Sequence, residues 1–162
     1  MDIGLIAAKI FGMSDEVWRR HANPWSGWSR VSILPLIALA AWSRVWIDYW
    51  AFGLGVAIVI WSWLNPRIFP EPKSLDNWMS KGVLGEQIWL RRHEIPIPFE
   101  FARITTLLNM SAGLGAIPFI YGIIQLDIII TICGMVIMML SKLWFIDRMV
   151  WLFELTNKRA KP

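Results

Sequence analysis

Two histidines and one glutamate are the residues best suited to chemistry in this chain: His21 in Arg19-Arg20-His21, His93 in Arg91-Arg92-His93, and Glu86 ahead of the second triplet. Imidazole and carboxylate are ligands for zinc or iron, and both exchange protons when their surroundings tune them. The spacing does not favour that use. Neither histidine belongs to an HExxH pair, the chain has no third histidine, and no serine sits in a nucleophile elbow. Zinc proteases, membrane di-iron enzymes and serine hydrolases therefore have no motif here. No catalytic residue and no metal site is expected. His21, Glu86 and His93 remain the one grouping through which a small membrane enzyme, or a protein binding a metal or a lipid headgroup, would have to work.

Glu86 stands out within its own segment. Ser74 or Asp76 can cap a helix over 74–93, on which Leu75, Met79, Gly82, Val83, Trp89 and Leu90 share one face. Asp76, Asn77, Ser80, Lys81, Gln87, Arg91 and Arg92 lie opposite, while Glu86 falls inside the apolar stripe. A carboxylate there needs a cationic partner or a raised pKa, because desolvation disfavours its charged form. Arg19, Arg20 and Arg30 are the expected partners, in a structural ion pair rather than a catalytic one.

The elements that must hold these residues belong in lipid. Of 162 residues 56% are hydrophobic and twelve are Trp, more apolar surface than one soluble core of this length can bury. An all-α integral membrane protein follows, a single membrane domain over 1–162 with four transmembrane helices arranged as two hairpins. The first hairpin is expected over 31–64, turning near Asp48, and the second over 104–146, turning at Gln125-Leu126-Asp127. Arg44 and Asp48, four residues apart at the end of the first span, suit an ion pair. Gly53, Gly55 and Ala57 in the second span, and Ser111 to Ala116 in the third, allow close helix packing. Asn109, Thr131 and Ser141 suit hydrogen bonds between helices. No ionisable group falls at mid-span, which argues against an ion- or proton-coupled transporter, the remaining alternative being a small oligomeric one.

Amphipathic helices are expected before each hairpin: interfacial helices over 1–22, with Ile3, Ile6, Ala7, Ile10 and Phe11 on one face, and the 74–93 helix within a polar connector, 65–103. Trp25, Trp28 and Arg30, with Trp78, Trp89, Arg91 and Arg92, suit the lipid-headgroup region, where amphipathic rings and snorkelling cations are favoured. Residues 16–32 and 87–105 also match in outline: a tryptophan, Arg-Arg-His, a proline break, then a span. That pattern points to a parallel internal repeat. The single cysteine, Cys133, excludes an intramolecular disulfide and a thiolate zinc cluster.

The formal net charge of +4 arises from basic residues that flank apolar segments. This reads as membrane orientation and not as nucleic-acid binding. With four crossings, both termini and the connector share the side rich in Lys and Arg, which is the cytoplasmic side of a prokaryotic inner membrane. The 147–162 tail, with Lys158, Arg159 and Lys161, adds a basic end for anionic lipid.

The segments RRHANPWSGWSR, NPRIFPEPKSLDNWMSKGVLGEQIW and KLWFIDRMVW resemble a family of small, uncharacterised prokaryotic multi-pass membrane proteins, a domain of unknown function, over residues 16 to about 153. The resemblance implies no activity and carries over no site residue. From the residues themselves the expected role is a structural or accessory subunit of a larger membrane complex. Its partners would be other integral subunits and lipids, in an oligomer or hetero-complex. No cofactor is expected beyond bound lipid, or pigment if the assembly is photosynthetic.

Overall fold

The structure, a computed structural model, describes residue 6 and residues 9–160, with the side chains of 159 and 160 excepted. The Ile3 and Ala7 positions of the first interfacial helix, and Lys161 of the tail, lie outside the described residues. Everything regular within them is helical. The order is α1 Asp15–His21, α2 Pro24–Val31, α3 Ile33–Ile47, α4 Trp50–Ile68, α5 Trp78–Leu90, α6 Phe99–Gln125 and α7 Ile128–Ala160. Four stretches are long and apolar enough to cross a membrane: α2 with α3, α4, α6, and most of α7.

Local chemistry sets the breaks. Ser14 caps α1, its side chain accepting from the Val17 amide at 3.4 Å, with Asp15 and Glu16 in the first turn and Arg19, Arg20 and His21 in the last. Asn23 caps α2, whose first residue is Pro24. Only Ser32 separates α2 from α3, because Pro35 has no amide to offer the Val31 carbonyl. The turn between α3 and α4 falls at Asp48, which takes a positive φ of 48°. Leu126 ends α6 in the left-handed conformation at φ 57°, and the Asp127 carboxylate then caps α7 by accepting from Ile130 N at 2.9 Å.

Several helices are bounded differently from expectation: the first candidate span begins at Pro24 and not at 31, and α4 runs to Ile68 and not to 64. Helix α5 begins at Trp78 and not at 74, because Asn77 is the cap: its side chain accepts from Ser80 N at 2.9 Å. It ends at Leu90, leaving Arg91 to His93 in a turn. Helix α6 begins at Phe99, five residues before the expected span. Helix α7 runs for 33 residues, about 50 Å at 1.5 Å per residue. That exceeds the roughly 30 Å of bilayer hydrocarbon, so the expected tail from 147 onward is the continuation of a helix, and it packs.

The two ends of α7 are held by different physics. In the span, lipid supplies no hydrophobic drive, so α6 and α7 meet backbone to backbone. A Cβ on Gly134 would stand 2.3 Å from Phe119 N, and one on Gly122 would stand 2.4 Å from Thr131 N. Ser141 donates to Ser111 across the same interface at 3.0 Å, as the sequence suggested, while Thr131 bonds only its own helix, at Asp127 O. At the end of the span and past it, α5 lies against α7, and the core is apolar: Met79, Trp89, Leu108, Phe145, Ile146, Met149 and Leu152. Burying each such side chain away from water contributes about 1.5–3 kcal/mol. Close approach is again needed, since Gly82 faces Ile146 and Gly85 faces the Met149 carbonyl.

Candidate functional site

The site grows from the proline-bearing segments on either side of the first hairpin. Asn23-Pro24 brings α1 back against α2, and Asn65-Pro66-Arg67 ends α4 beside them. His21, at the end of α1, is 5% exposed. Its Nε2 lies 3.0 Å from Arg30 Nη1, and its Nδ1 lies 3.0 Å from Ser26 Oγ. A guanidinium can only donate, so Nε2 is the bare acceptor and the proton is on Nδ1. The bonds continue in one direction. Ser26 Oγ donates to Asn65 Oδ1 at 2.8 Å, Asn65 Nδ2 donates to Ser29 Oγ at 2.7 Å, and Ser29 Oγ donates to the Ser26 carbonyl at 3.1 Å. Asn65 is fully buried at 0% exposure.

Neighbouring bonds tie the same place to the rest of the chain. Arg20 donates to the Arg67 carbonyl at 2.8 Å, and Asn23 Nδ2 donates to the Pro70 carbonyl at 3.0 Å. Arg67 stacks on Trp63 at 4.0 Å and donates to the Trp63 and Phe11 carbonyls. Ser80 of α5 donates to the Ala22 carbonyl. Arg20, Ser26, Ser29, Asn65, Arg67 and Ser80 thus join four helices.

Burial, and then the Arg30 charge, push the His21 imidazole down to about 3, with Glu86 opposing and Lys142 reinforcing the shift. His21 is neutral at any pH near 7. Burial pushes the Glu86 carboxyl up, but the Lys142 ammonium, bonded to it at 3.0 Å, outweighs that and holds it below the usual carboxylate range. The partner of Glu86 is therefore Lys142 of α7 and not Arg19, Arg20 or Arg30. Arg19 pairs with Glu71 at 2.9 Å, and Arg20 lies 3.5 Å from Glu16 and bonds the Arg67 carbonyl. Sequence reasoning missed Lys142, the one charge in an otherwise apolar run from Ile128 to Ile146, and missed Ser26, Ser29 and Asn65 as a set.

Glu86, His21, Arg30 and Lys142 border one cleft of about 440 Å³ between the hairpins; its other walls are mostly apolar, among them Trp18, Leu34, Val83 and Ile146. His93 does not join them. It is exposed on the turn after α5, and among the described residues no three His, Cys, Asp or Glu are placed to hold a metal ion. Both nitrogens of His21 are already engaged, so the donor set suits neither zinc nor iron. The two Arg-Arg-His triplets match in sequence and differ in environment, one in a buried helix end and the other in an exposed turn.

Other expected contacts also change. Arg44 does not pair with Asp48; its Nη2 donates to the Ile123 and Ile124 carbonyls, the latter at 3.0 Å, where a cation complements the C-terminal end of α6. Trp89 is not a headgroup anchor but a core residue at 8% exposure, with Arg92 over its ring at 4.6 Å. Trp78 stacks on Trp28 at 5.8 Å and donates to Asp147 at 3.3 Å. Trp25, at 73%, and Trp28, at 49%, are exposed. Arg91 lies 3.9 Å from Asp15, in a weak exposed pair.

An all-helical fold with four helices able to cross a membrane, and a polar knot with an adjoining cleft at one end of them, defines a small multi-pass membrane protein. The chain belongs to a family of unknown function, DUF6653, whose profile matches residues 3–161. No curated protein and no solved structure matches it.

Proposed function

We propose that the protein is a non-catalytic accessory subunit of a larger membrane assembly, in the prokaryotic cell membrane, with its termini and the 65–103 connector in the cytoplasm. The observation that carries the assembly is Asn109. It is exposed on α6, about 8 Å inside the span that begins at Ile104, and its side-chain amide has no hydrogen-bond partner among the described residues. An amide facing hydrocarbon without a partner is unfavourable, and amides within spans pair across helix interfaces. One turn on, Gly113 has nothing within 4 Å of where a Cβ would stand, as do Gly53 and Gly55 of α4. These small residues do not pack within the chain, although the sequence suggested packing for them. A neighbouring helix from another subunit would satisfy Asn109 and close over Gly113.

The absence of catalysis is supported by the knot itself, whose histidine, serines and asparagine are all spent on internal bonds. Extraction in mild detergent should carry integral partners with the wild type, and Asn109→Leu or Gly113→Leu should shed them while melting normally. A monodisperse, partner-free wild-type particle that turned over a lipid or metabolite would contradict the proposal. The basic flanks support the orientation. In a Cys133→Ser background, Lys73→Cys should resist an impermeant thiol reagent in intact cells and react once they are opened; labelling in intact cells would reverse the topology.

A further inference from the structure

The cleft between the hairpins has an uncancelled positive charge. Lys142 and Glu86 neutralise one another at 3.0 Å. Arg30 forms no ion pair with a carboxylate among the described residues, and Glu86, which acts on its charge from a distance, is bonded to Lys142 instead; the hydrogen bond of Arg30 is to the neutral His21 ring, and its guanidinium lies 5.7 Å from the Phe11 ring centre. A guanidinium has five N–H donors in a planar fork, so one bond to imidazole leaves most of its capacity directed elsewhere. A partly buried cation of this kind calls for an anion. The remaining walls are mostly apolar and run from α5, at the water-facing end, to Leu34 of α3 and Ser62 of α4, within the spans. The volume, about 440 Å³, falls within the 300–1,000 Å³ typical of small-molecule clefts.

We propose that this cleft is a binding site for a membrane phospholipid of net charge −1, with its phosphodiester on Arg30 and the first methylenes of its chains on the apolar walls. Charge count decides the headgroup. Arg30, the Lys142–Glu86 pair and neutral His21 sum to one positive charge, which a phosphodiester without an ammonium complements. A choline or ethanolamine head would bring its own cation beside Arg30 and Lys142. Planar, bidentate recognition of phosphate is what guanidinium does best. His21 is then a positioning residue, holding the guanidinium through Nε2. The site needs no protein partner, so it stands or falls separately from the assembly.

The test is native mass spectrometry of delipidated protein in mixed micelles containing phosphatidylglycerol or phosphatidylcholine with identical chains. Wild type should retain one phosphatidylglycerol in preference to phosphatidylcholine. Arg30→Gln should abolish that preference, but it also removes a bond to His21 and can misfold. Glu86→Gln separates the two effects. It raises the cleft from one positive charge to two, so the preference should grow about three- to tenfold, a gain that a damaged fold cannot produce. Lys142→Gln should erase it. Equal retention of both lipids by the wild type, or a Glu86→Gln preference that is unchanged or smaller, would overturn the assignment.

Discussion

Acidification from pH 6.5 towards pH 3 should destabilise the protein by on the order of 3–5 kcal/mol through His21 alone. Burial and the Arg30 guanidinium push the folded imidazole down to about 3, against an ordinary value of 6.5. Between these values the unfolded chain binds a proton that the folded chain does not, so stability falls as pH falls. The contribution is complete above about 6.5 and exhausted near 3. Glu86, held below the usual carboxylate range, adds a loss of the same sign at the acid end of this window. Thermal midpoints in detergent across the window should therefore slope downward on acidification, and the slope between pH 6.5 and 5 should vanish in His21→Gln. A wild type with a flat profile there would mean that His21 is not buried neutral.

The other large effect is steric. Gly85→Ala places a Cβ 1.9 Å from the Met149 carbonyl oxygen. Neither backbone can yield without separating α5 from α7, where the apolar core lies. A cost of about 3 kcal/mol or more follows, at the upper end for overpacking. Gly53→Ala is the control. Its Cβ meets open space, and alanine exceeds glycine in helix propensity by about 1 kcal/mol, so it should be neutral or slightly stabilising. Equal midpoints for Gly85→Ala and the wild type would show that α5 does not rest on α7.

The architecture was legible where the signal is local. Long apolar runs, Asp48 and Gln125-Leu126-Asp127 between them, and Asn-Pro breaks located the four spans and their hairpins. What sequence could not supply was the partner of each face. Helix α5 has an apolar stripe, and a stripe on lipid looks the same as a stripe on another helix; the burial of Trp89 and the close approach of Gly85 decide for α7. The stripe singled out Glu86 as a carboxylate needing either a cation or a raised pKa, and the fold supplies a cation. Its partner, Lys142, is 56 residues away, and nothing local distinguishes it from a snorkelling lysine. Arg44 was read with its neighbour Asp48, while in the fold the nearer acceptors are the last carbonyls of α6, some 80 residues on. The Arg-Arg-His repeat failed as a guide to the site for a related reason: the same triplet ends a buried helix at His21 and enters an exposed turn at His93.

The central claim is that the one buried histidine is a fixed structural acceptor rather than a ligand or a proton carrier. Nitrogen-15 NMR of histidine-labelled His93→Gln protein, in which His21 is the only imidazole, tests it most directly. The expected spectrum is that of a neutral ring protonated at Nδ1, unchanged from pH 8 down to about 4.5 and indifferent to added zinc. An imidazolium signal growing in below pH 6.5, an Nε2-protonated tautomer, or a zinc-dependent shift would contradict the account.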